Sequence, residues 1–244
     1  MPFVSVIVPT HNRADLLPRA IGSVLKQSYP RLECIVVDDA PDDSSEAVVA
    51  QFDDDRLVYL QHETNRGASA ARNTGIAQAK GEMIAFLDDD DEWLPTKLEK
   101  QVPLLENAPP QVGMVYCWMD YYDRGRLATE HHPTYRGYVF PHVLDGQRIG
   151  GCPTLLVRRS VFEDVGGFDE SLVRGNDGDF IRRVCLNYDV DLIPEVLVKV
   201  YIGHSYKRIT RHDEQGLWND INSHRVKLVK FEKELQKYPK QTSN

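Results

Sequence analysis

The sequence predicts an α/β fold: a doubly wound, mostly parallel sheet flanked by helices. Three observations support this prediction. Short apolar segments alternate with amphipathic ones, polar clusters follow several of the apolar segments, and the composition is that of a folded domain. Strands that alternate with helices form parallel sheets covered on both faces. Ligands of such sheets bind beyond the carboxyl ends of the strands, where the polar clusters fall.

Each predicted strand of the first half is followed by a predicted helix. The four pairs cover residues 4–8 and 16–26, 34–37 and 45–52, 57–61 and 68–79, and 83–87 and 95–106. Three polar clusters follow these strands, at 9–13, 38–39 and 88–91. Because parallel strands end at one edge of the sheet, these clusters are expected to meet in one crevice.

The second half is less regular. Segment 123–151 has no clear period, and we interpret it as an insertion or mobile loop that carries specificity. It is followed by a predicted strand, two helices and a second strand at 154–157, 160–165, 179–186 and 198–202. Residues 215–237 predict an amphipathic helix with a basic polar face, which either packs on the domain or rests on anionic lipid.

Composition limits the classes of function. The 244 residues suffice for one large domain, and the net charge of −8 argues against a nucleic-acid partner. The four cysteines form no metal motif, which favours a reducing cytoplasm. No apolar run approaches the roughly 20 residues that cross a bilayer, and no signal peptide is evident at the amino terminus.

The run Asp88 to Asp91 directly follows a predicted strand. In an extended chain, residues two apart face the same side, so Asp88 and Asp90 are expected to bind one ligand, while Asp91 favours entry into the next helix. Adjacent carboxylates repel each other by about 1 kcal/mol in water, and Mn²⁺ or Mg²⁺ would relieve this repulsion. The alternative is a solvated acidic loop.

Four segments of the chain resemble the family 2 glycosyltransferases of the GT-A fold. They are VSVIVPTHNR at 4–13, VVDD at 36–39, NRGASAARNTG at 65–75 and FLDDDD at 86–91. The likeness covers residues 3–106 and resumes at about 150–205. It implies an inverting, metal-dependent transfer from a nucleoside-diphosphate sugar, with UDP preferred, to a hydroxyl of a glycan or lipid-linked sugar.

The resemblance also implies roles for individual residues. Asp39 would contact the base, and Asp88-Asp89-Asp90 matches the D-x-D motif, in which Asp90 binds the metal and Asp88 and Asp89 approach ribose or metal. The other nucleotide-binding positions are Pro9, Thr10, Asn12, Arg13, Arg66 and Arg72. The chemistry of the residues agrees, because a carboxylate accepts from a base imide and an arginine fork suits phosphate.

In the second half the resemblance points to a general base. The segments GGFDE at 166–170 and GNDGDF at 175–180 match the family's turn and base motif, with Asp177 as base and Asp179 as its rival. Two departures are Asn176, where Glu is common, and Ala40-Pro41, where Gly-Ser is common. His204 matches a late His that either completes the metal shell or makes ordinary hydrogen bonds.

These expectations divide the chain into a nucleotide-sugar-binding half at 1–106, an acceptor-binding and catalytic-base half at 107–214, and a C-terminal amphipathic helix and tail at 215–244. They place the protein in the cytoplasm, with peripheral contact at the inner membrane face through that helix, and in polysaccharide or cell-surface glycan synthesis. The alternative is a non-catalytic sugar-nucleotide or glycan binding module. A nucleotidyltransferase is disfavoured because no Gly-rich phosphate loop follows the first strand.

Overall fold

The computed structural model describes residues 1–39, 45–203, 206 and 214–238. The strands in these ranges are β1 Val4–Thr10, β2 Leu32–Asp38, β3 Leu57–Gln61, β4 Met83–Phe86, β5 Glu92–Trp93, β6 Val112–Asp123, β7 Arg126–His131, β8 Leu156–Arg158 and β9 Asp189–Tyr201. The helices are α1 Leu17–Leu25, α2 Ser45–Val49, α3 Ala68–Gln78, α4 Lys97–Asn107, α5 Phe140–Leu144, α6 Arg159–Val165, α7 Asn176–Asn187, α8 Glu214–Lys230 and α9 Glu232–Lys237. A short 3-10 turn covers Cys152–Thr154.

All described strands belong to one sheet with the order β3-β2-β1-β4-β8-β6-β9-β5, and β7 pairs with β6. Strands β3, β2, β1 and β4 are parallel neighbours, as are β6 and β9. Strand β8 runs antiparallel to both β4 and β6. The predicted α/β class, a mostly parallel sheet flanked by helices, is therefore confirmed, and the antiparallel pairs all involve β5, β7 or β8.

Two apolar clusters cover the two faces of the sheet. Alternate residues of β1 divide between them: Ile7 belongs to the first cluster, and Val6 and Val8 belong to the second. This division explains why the strands read as unbroken apolar runs. Helix α3 packs against β1, and a Cβ added at Gly75 would lie 2.5 Å from Cγ2 of Ile7, so glycine permits the close packing.

Segment 123–151 is more regular than the sequence indicated. Strand β6 continues to Asp123 and returns through β7, with positive φ angles at Arg124 (48°) and Gly125 (78°), and α5 follows. Strand β7 is exposed along almost its full length. It therefore lacks the apolar alternation by which a half-buried strand is identified, and the interpretation as a mobile loop was wrong for the hairpin residues.

Three further boundaries differ from the prediction. Helix α7 begins at Asn176, three residues before the predicted start, so Asp177 lies in its first turn. The predicted strand at 154–157 is the end of the 3-10 turn followed by β8. The C-terminal helix is broken at Phe231, whose φ and ψ of −112° and 23° separate α8 from α9. Among the helices that the structure describes, none has the length and apolar content to cross a bilayer.

A buried lysine lies beneath the sheet. Lys97, at the start of α4, has no exposed surface; its Nζ donates to Oε1 of Gln101 at 2.7 Å and lies 3.9 Å from the centroid of the Trp93 ring. Gln101 in turn donates to the carbonyl of Thr154, and the Trp93 indole donates to that of Pro153. This network fixes the 3-10 turn from below.

Lys97→Met is expected to stabilise the protein at pH 7 by about 1 kcal/mol. Burial lowers the pKa of Lys97 to about 8. Each unit by which the pKa is lowered costs the folded protein about 1.4 kcal/mol at pH 7, and methionine removes this cost. The variant also loses a hydrogen bond and a cation–π contact, which offsets part of the gain in stability. Because the unfolded lysine keeps its proton up to about pH 10 while the folded one releases it near 8, wild-type stability should rise between these pH values. Thermal unfolding from pH 7 to 10 measures both effects.

The matched control is Lys100→Met, because Lys100 lies on the same helix but is paired with Glu195 at the surface. It should leave the rise between pH 8 and 10 intact. A Lys97→Met protein that is less stable than wild type and keeps the same pH dependence would show that the buried ammonium is a net stabilising group.

Candidate active site

The polar clusters at the ends of β1, β2 and β4 meet at one edge of the sheet, as predicted. The amide of Asp39 donates to the carbonyl of Thr10 at 2.9 Å, and the Thr10 hydroxyl donates to Oδ2 of Asp89 at 2.8 Å. Pro9 is buried in β1 opposite Val37. Asn12 is exposed just beyond the strand and has a positive φ of 52°. The crevice is thus built from strand ends.

The aspartate run forms a tight turn. The amide of Asp91 donates to the carbonyl of Asp88 at 3.1 Å, so the chain reverses within four residues. Carboxylate oxygens of Asp88, Asp90 and Asp91 lie within 4.8 Å of one another. The convergence of Asp88 and Asp90 agrees with the prediction, whereas the prediction for Asp91 was wrong: it lies before β5, well ahead of α4, and accepts from the amide of Tyr201 at 3.1 Å.

Asp89 points the other way. It is fully buried, accepts from the Thr10 hydroxyl and lies 2.7 Å from a terminal nitrogen of Arg13. Burial raises the pKa of Asp89 to about 7, and Arg13 opposes this rise. The geometry gives Asp89 a supporting position under the turn, in contrast to the ribose or metal contact expected for it, because the turn rotates its side chain away from the other three carboxylates.

Three arginines stabilise the turn. Arg13 pairs with Asp90 at 3.0 Å as well as with Asp89. Arg19 donates to the backbone carbonyl of Asp90, and Arg72 donates to Oδ1 of Asp88 at 2.7 Å. Arginine therefore relieves much of the repulsion for which the sequence suggested a cation. Arg19 belongs to none of the motif segments, so the sequence analysis did not identify it as a site residue. Its position on α1 was the one available signal.

The three converging carboxylates nevertheless fit a hard divalent cation. Mg²⁺ and Mn²⁺ take oxygen ligands from one or two carboxylates together with substrate phosphates, and Asp88, Asp90 and Asp91 supply such oxygens on one side of the turn. His204, the other predicted ligand, lies outside the described residues. The departure at Ala40-Pro41 lies outside them as well.

Asp39 organises the loop that precedes α3. Its carboxylate accepts from the amides of Arg66 at 2.9 Å and Gly67 at 2.6 Å, and it lies 2.7 Å from Nδ1 of His62. Gly67 has a φ of 92°, which a glycine adopts without strain. The Arg66 side chain is half exposed and lies 3.7 Å from Glu170. His62 was missed, although it directly follows β3 and the strand-end argument covers it.

Arg72, Asp88 and Asp177 surround the 3-10 turn. Burial raises the pKa of the Cys152 thiol, Arg72 acts to lower it, and Asp177 and Asp88 raise it further. A Cβ added at Gly151 would lie 3.7 Å from Oδ2 of Asp177. Asp177 therefore lies beside the 3-10 turn, and the charges of Arg72 and Asp88 act on the Cys152 thiol of the same turn.

The first turn of α7 contains Asn176 and Asp177, whose side chains make different contacts. Oδ1 of Asp177 accepts from the amide of Gly178 at 2.7 Å. Asn176 is buried, donates to the Ser69 hydroxyl at 2.9 Å and accepts from the amide of Asp177 at 2.8 Å. Its amide thus links α7 to α3.

Asp179 is held by two cations. Its carboxylate lies 2.9 Å from Nε of Arg183 and 2.9 Å from Nζ of Lys230. Lys230 also pairs with Asp169, and together with Ser171 it holds the pKa of that carboxyl at about 2 against the opposing effect of burial. Asp179 therefore links α7 to the C-terminal helix, which packs on the domain.

Arg174 makes two further polar contacts with α8. Arg174 pairs with Asp220 at 2.7 Å and donates to the carbonyl of Gly216. Five large apolar residues of the helix point outward: Leu217, Trp218, Ile221, Leu228 and Val229 are each about half exposed or more. The basic side of the helix thus partly faces the protein, and an apolar side faces solvent.

Comparison with known proteins identifies the family of the chain. The sequence model described as "Glycosyl transferase family 2" matches residues 5–166, which is more than half of the chain. The chain belongs to this family. Family 2 membership was predicted from the four motif segments, and the prediction is confirmed.

Relatives of the chain are glycosyltransferases. An uncharacterized glycosyltransferase of Rickettsia prowazekii is 34% identical over 90% of this chain and 70% of the relative. WfgD of Escherichia coli, a UDP-Glc:alpha-D-GlcNAc-diphosphoundecaprenol beta-1,3-glucosyltransferase, is 42% identical over 42% of this chain and 40% of the relative. The chain spans 61% to 77% of the length of five such relatives.

Solved structures show the same GT-A fold. Residues 1–349 of S. aureus TarS in complex with UDP-GlcNAc superpose with a TM-score of 0.76 at 21% identity, over 93% of this chain and 66% of that one. The mannosyltransferase PcManGT from Pyrobaculum calidifontis, in complex with GDP-Man and Mn²⁺, gives a TM-score of 0.66 at 24% identity, over 94% and 64%. The predicted fold class is confirmed.

Proposed function

We propose that this family 2 chain transfers a sugar, with inversion, from a nucleoside-diphosphate donor to an acceptor hydroxyl. The observation that carries the proposal is the arrangement of three carboxylates at the aspartate turn beside Arg72, with Asp177 across the 3-10 turn. One side of the crevice offers charge for a diphosphate leaving group. The other offers a base, so both requirements of a single displacement lie in one crevice.

The donor occupies the edge formed by β1, β2 and α3, and UDP is the favoured nucleotide. Asp39 already accepts from three donors, which leaves lone-pair capacity for a base imide N–H. Pro9, Thr10 and Asn12 line the nucleoside, and Arg13, Arg66 and Arg72 face the phosphates. Relatives named for UDP-Glc and solved with UDP-GlcNAc support UDP.

Asp88, Asp90 and Asp91 would hold Mn²⁺ or Mg²⁺, with His204 as a further candidate ligand. When bound, the cation neutralises the charge that develops on the diphosphate. Mn²⁺ in the mannosyltransferase structure supports this choice. Arg72 keeps Asp88 oriented, and Arg13 is placed to exchange its carboxylate partners for a donor phosphate. Asp89 and Thr10 hold the turn from beneath.

Asp177 removes the acceptor proton. Its Oδ1 is held by the amide of Gly178, and its Oδ2 lies beside Gly151, so Oδ2 is the atom placed to take a proton from a hydroxyl. The rival Asp179 is ion-paired on both sides and 4% exposed, which favours Asp177. The attacking oxygen forms its bond to the anomeric carbon as the bond to the diphosphate breaks.

The same proposal divides the chain into a donor half at 1–106 and an acceptor and base half at 107–214, with the C-terminal helix beyond. It makes a lipid-linked sugar a natural acceptor, because the substrate named for WfgD carries a diphosphoundecaprenol. Cell-surface polysaccharide synthesis at the cytoplasmic face of the membrane is the corresponding setting.

Peripheral membrane contact would use the outward side of α8. Lys230 is occupied by Asp169 and Asp179, so the five exposed apolar residues are the available contact. Helix α8 also lies beside the start of α7, which carries Asp177. In a flotation assay with phosphatidylglycerol vesicles, wild-type protein should be recovered with the vesicles and the Trp218→Ser variant should not. Vesicle binding that disappears in 0.5 M salt would indicate charge attraction and contradict apolar insertion.

Calorimetry and donor turnover test the proposed function. UDP should bind at least tenfold more tightly with Mn²⁺ than with EDTA, and UDP-glucose or UDP-GlcNAc should be slowly hydrolysed in the presence of Mn²⁺ without any acceptor. UDP binding without hydrolysis of either donor would favour the alternative, a sugar-nucleotide binding module. Binding that is indifferent to the metal would overturn the proposed role of the aspartate turn.

A further inference from the structure

The register of the sheet places a second group of side chains at the same end of the sheet as the crevice. Ala85 of β4 lies opposite Leu156 of β8, and Leu156 lies opposite Val115 of β6. Strands β4 and β6 therefore run in the same direction, about 10 Å apart, with β8 between them. Three residues farther along each strand come Asp88 and Trp118, at the same end of the sheet.

Trp118 and Asp88 are also on the same face. Phe86 and Tyr116 belong to the first apolar cluster, and Trp118 packs against that cluster. The 3-10 turn that enters β8 occupies the space between the two positions. Oδ2 of Asp177 lies beside Gly151, which directly precedes that turn. The aspartate turn thus lies at the end of β4 and Trp118 lies on β6, with β8 and the 3-10 turn between the two strands.

Trp118 is part of an ordered polar and aromatic group. Its ring stacks on His132 with centroids 4.6 Å apart and an interplanar angle of 21°, and its indole donates to the carbonyl of Pro133 at 2.8 Å. Nε2 of His132 lies 2.9 Å from Oδ1 of Asp120. The His132 side chain is 30% exposed, so the group is held by contacts within the protein and is also accessible to solvent.

We propose that Trp118, His132 and Asp120 form the acceptor-sugar platform. This inference rests on the proposed transfer to a hydroxyl, and it deepens that function by naming where the acceptor binds. A pyranose ring has an apolar face that packs on aromatic rings and a rim of hydroxyls that bind carboxylate and imidazole. Asp120 fixes the imidazole through Nε2, which leaves Nδ1 for a sugar hydroxyl.

The position explains the direction of attack. An acceptor hydroxyl must reach Asp177 from the side opposite the leaving diphosphate, since an inverting displacement needs nucleophile and leaving group on opposite faces of the donor carbon. The proposed platform would present that hydroxyl from the β6 side of the 3-10 turn, whereas the aspartate turn lies on the β4 side. The β6–β7 hairpin, which carries Trp118 and ends next to His132, thus supplies the acceptor contacts that the sequence pattern of 123–151 did not reveal.

The test uses the full chain with Mn²⁺, UDP and a panel of methyl pyranosides: glucoside, galactoside, mannoside, N-acetylglucosaminide and rhamnoside. Saturation-transfer difference NMR should detect at least one of them bound to wild type. Trp118→Leu should lower the affinity for that glycoside at least tenfold, and Trp118→Phe should have an affinity between those of Trp118→Leu and wild type. His132→Gln should lower the affinity several-fold. The affinity of each variant for UDP should stay within twofold of wild type.

Trp218→Leu is the matched control, because it removes a tryptophan from the outward side of α8 and should leave glycoside binding unchanged. Glycoside binding that survives in both Trp118→Leu and His132→Gln would overturn the platform while leaving the proposed function intact. If wild type binds UDP with Mn²⁺ but binds none of the five glycosides, the proposal that the platform binds a pyranose would be wrong. Loss of UDP binding itself would count against the proposed function.

Discussion

Asp177→Asn is expected to lower the rate constant for sugar transfer by about 10²–10⁴-fold, the range that a positioned general base contributes. Asparagine keeps the size of the side chain and the acceptor for the Gly178 amide, but it cannot take a proton from the acceptor hydroxyl. UDP affinity with Mn²⁺ should stay within twofold, because the role proposed for Asp177 is contact with the acceptor hydroxyl. Single-turnover transfer to an accepted glycoside measures the rate, and calorimetry measures the affinity.

Asp179→Asn is the matched comparison, since it makes the same chemical change two residues away. Asp179 is ion-paired with Arg183 and Lys230, so this variant should unfold at lower temperature but retain transfer in the folded protein. The reverse pattern, in which Asp179→Asn abolishes transfer and Asp177→Asn preserves it, would identify Asp179 as the base.

The first half of the fold could be predicted because local pattern and tertiary environment agree there. Strands β1, β2 and β4 are buried along their whole length, so each is mostly apolar, and α1 between β1 and β2 is strongly amphipathic. Their carboxyl ends carry the polar clusters, and this rule alone brought Asp39, Asp88 and Asp90 together. His62 follows the same rule after β3 and could have been included.

The second half was harder for identifiable reasons. Strand β7 is exposed, so it shows no alternation, and β8 has only three residues and depends on pairing with both β4 and β6. The contact between Trp118 and His132 depends on the return of the chain through the β6–β7 hairpin, and no spacing in the sequence indicates it.

The aspartate run shows the limit of reasoning from strand periodicity. Alternation correctly paired Asp88 with Asp90, but the chain turns after Asp88 and brings Asp91 to the same side. The argument from repulsion was incomplete as well, since Arg13, Arg19 and Arg72 all contact the turn. The convergence of three carboxylates therefore supports a cation site. The repulsion between the carboxylates does not by itself require a cation, because the arginines already offset it.

Asp90→Ala is expected to remove the gain in UDP affinity that Mn²⁺ provides, a loss of at least tenfold or about 1.4 kcal/mol. Transfer should fall further, because a cation at the diphosphate stabilises the transition state by several kcal/mol. Titrating UDP with Mn²⁺ and with EDTA measures the gain directly. Asp55→Ala, which removes an exposed carboxylate from a loop, is the control for the change in net charge.

Asp89→Asn separates the metal ligands from the support beneath them. Asp89 is fully buried against Thr10 and Arg13, so an amide there should weaken the ion pair with Arg13 and lower the unfolding temperature. The response of UDP binding to Mn²⁺ should remain, because the oxygens of Asp88, Asp90 and Asp91 are still in place. If Asp89→Asn abolishes that response without loss of stability, then Asp89 and not Asp91 completes the cation site. The turn would then have to rotate when the donor binds.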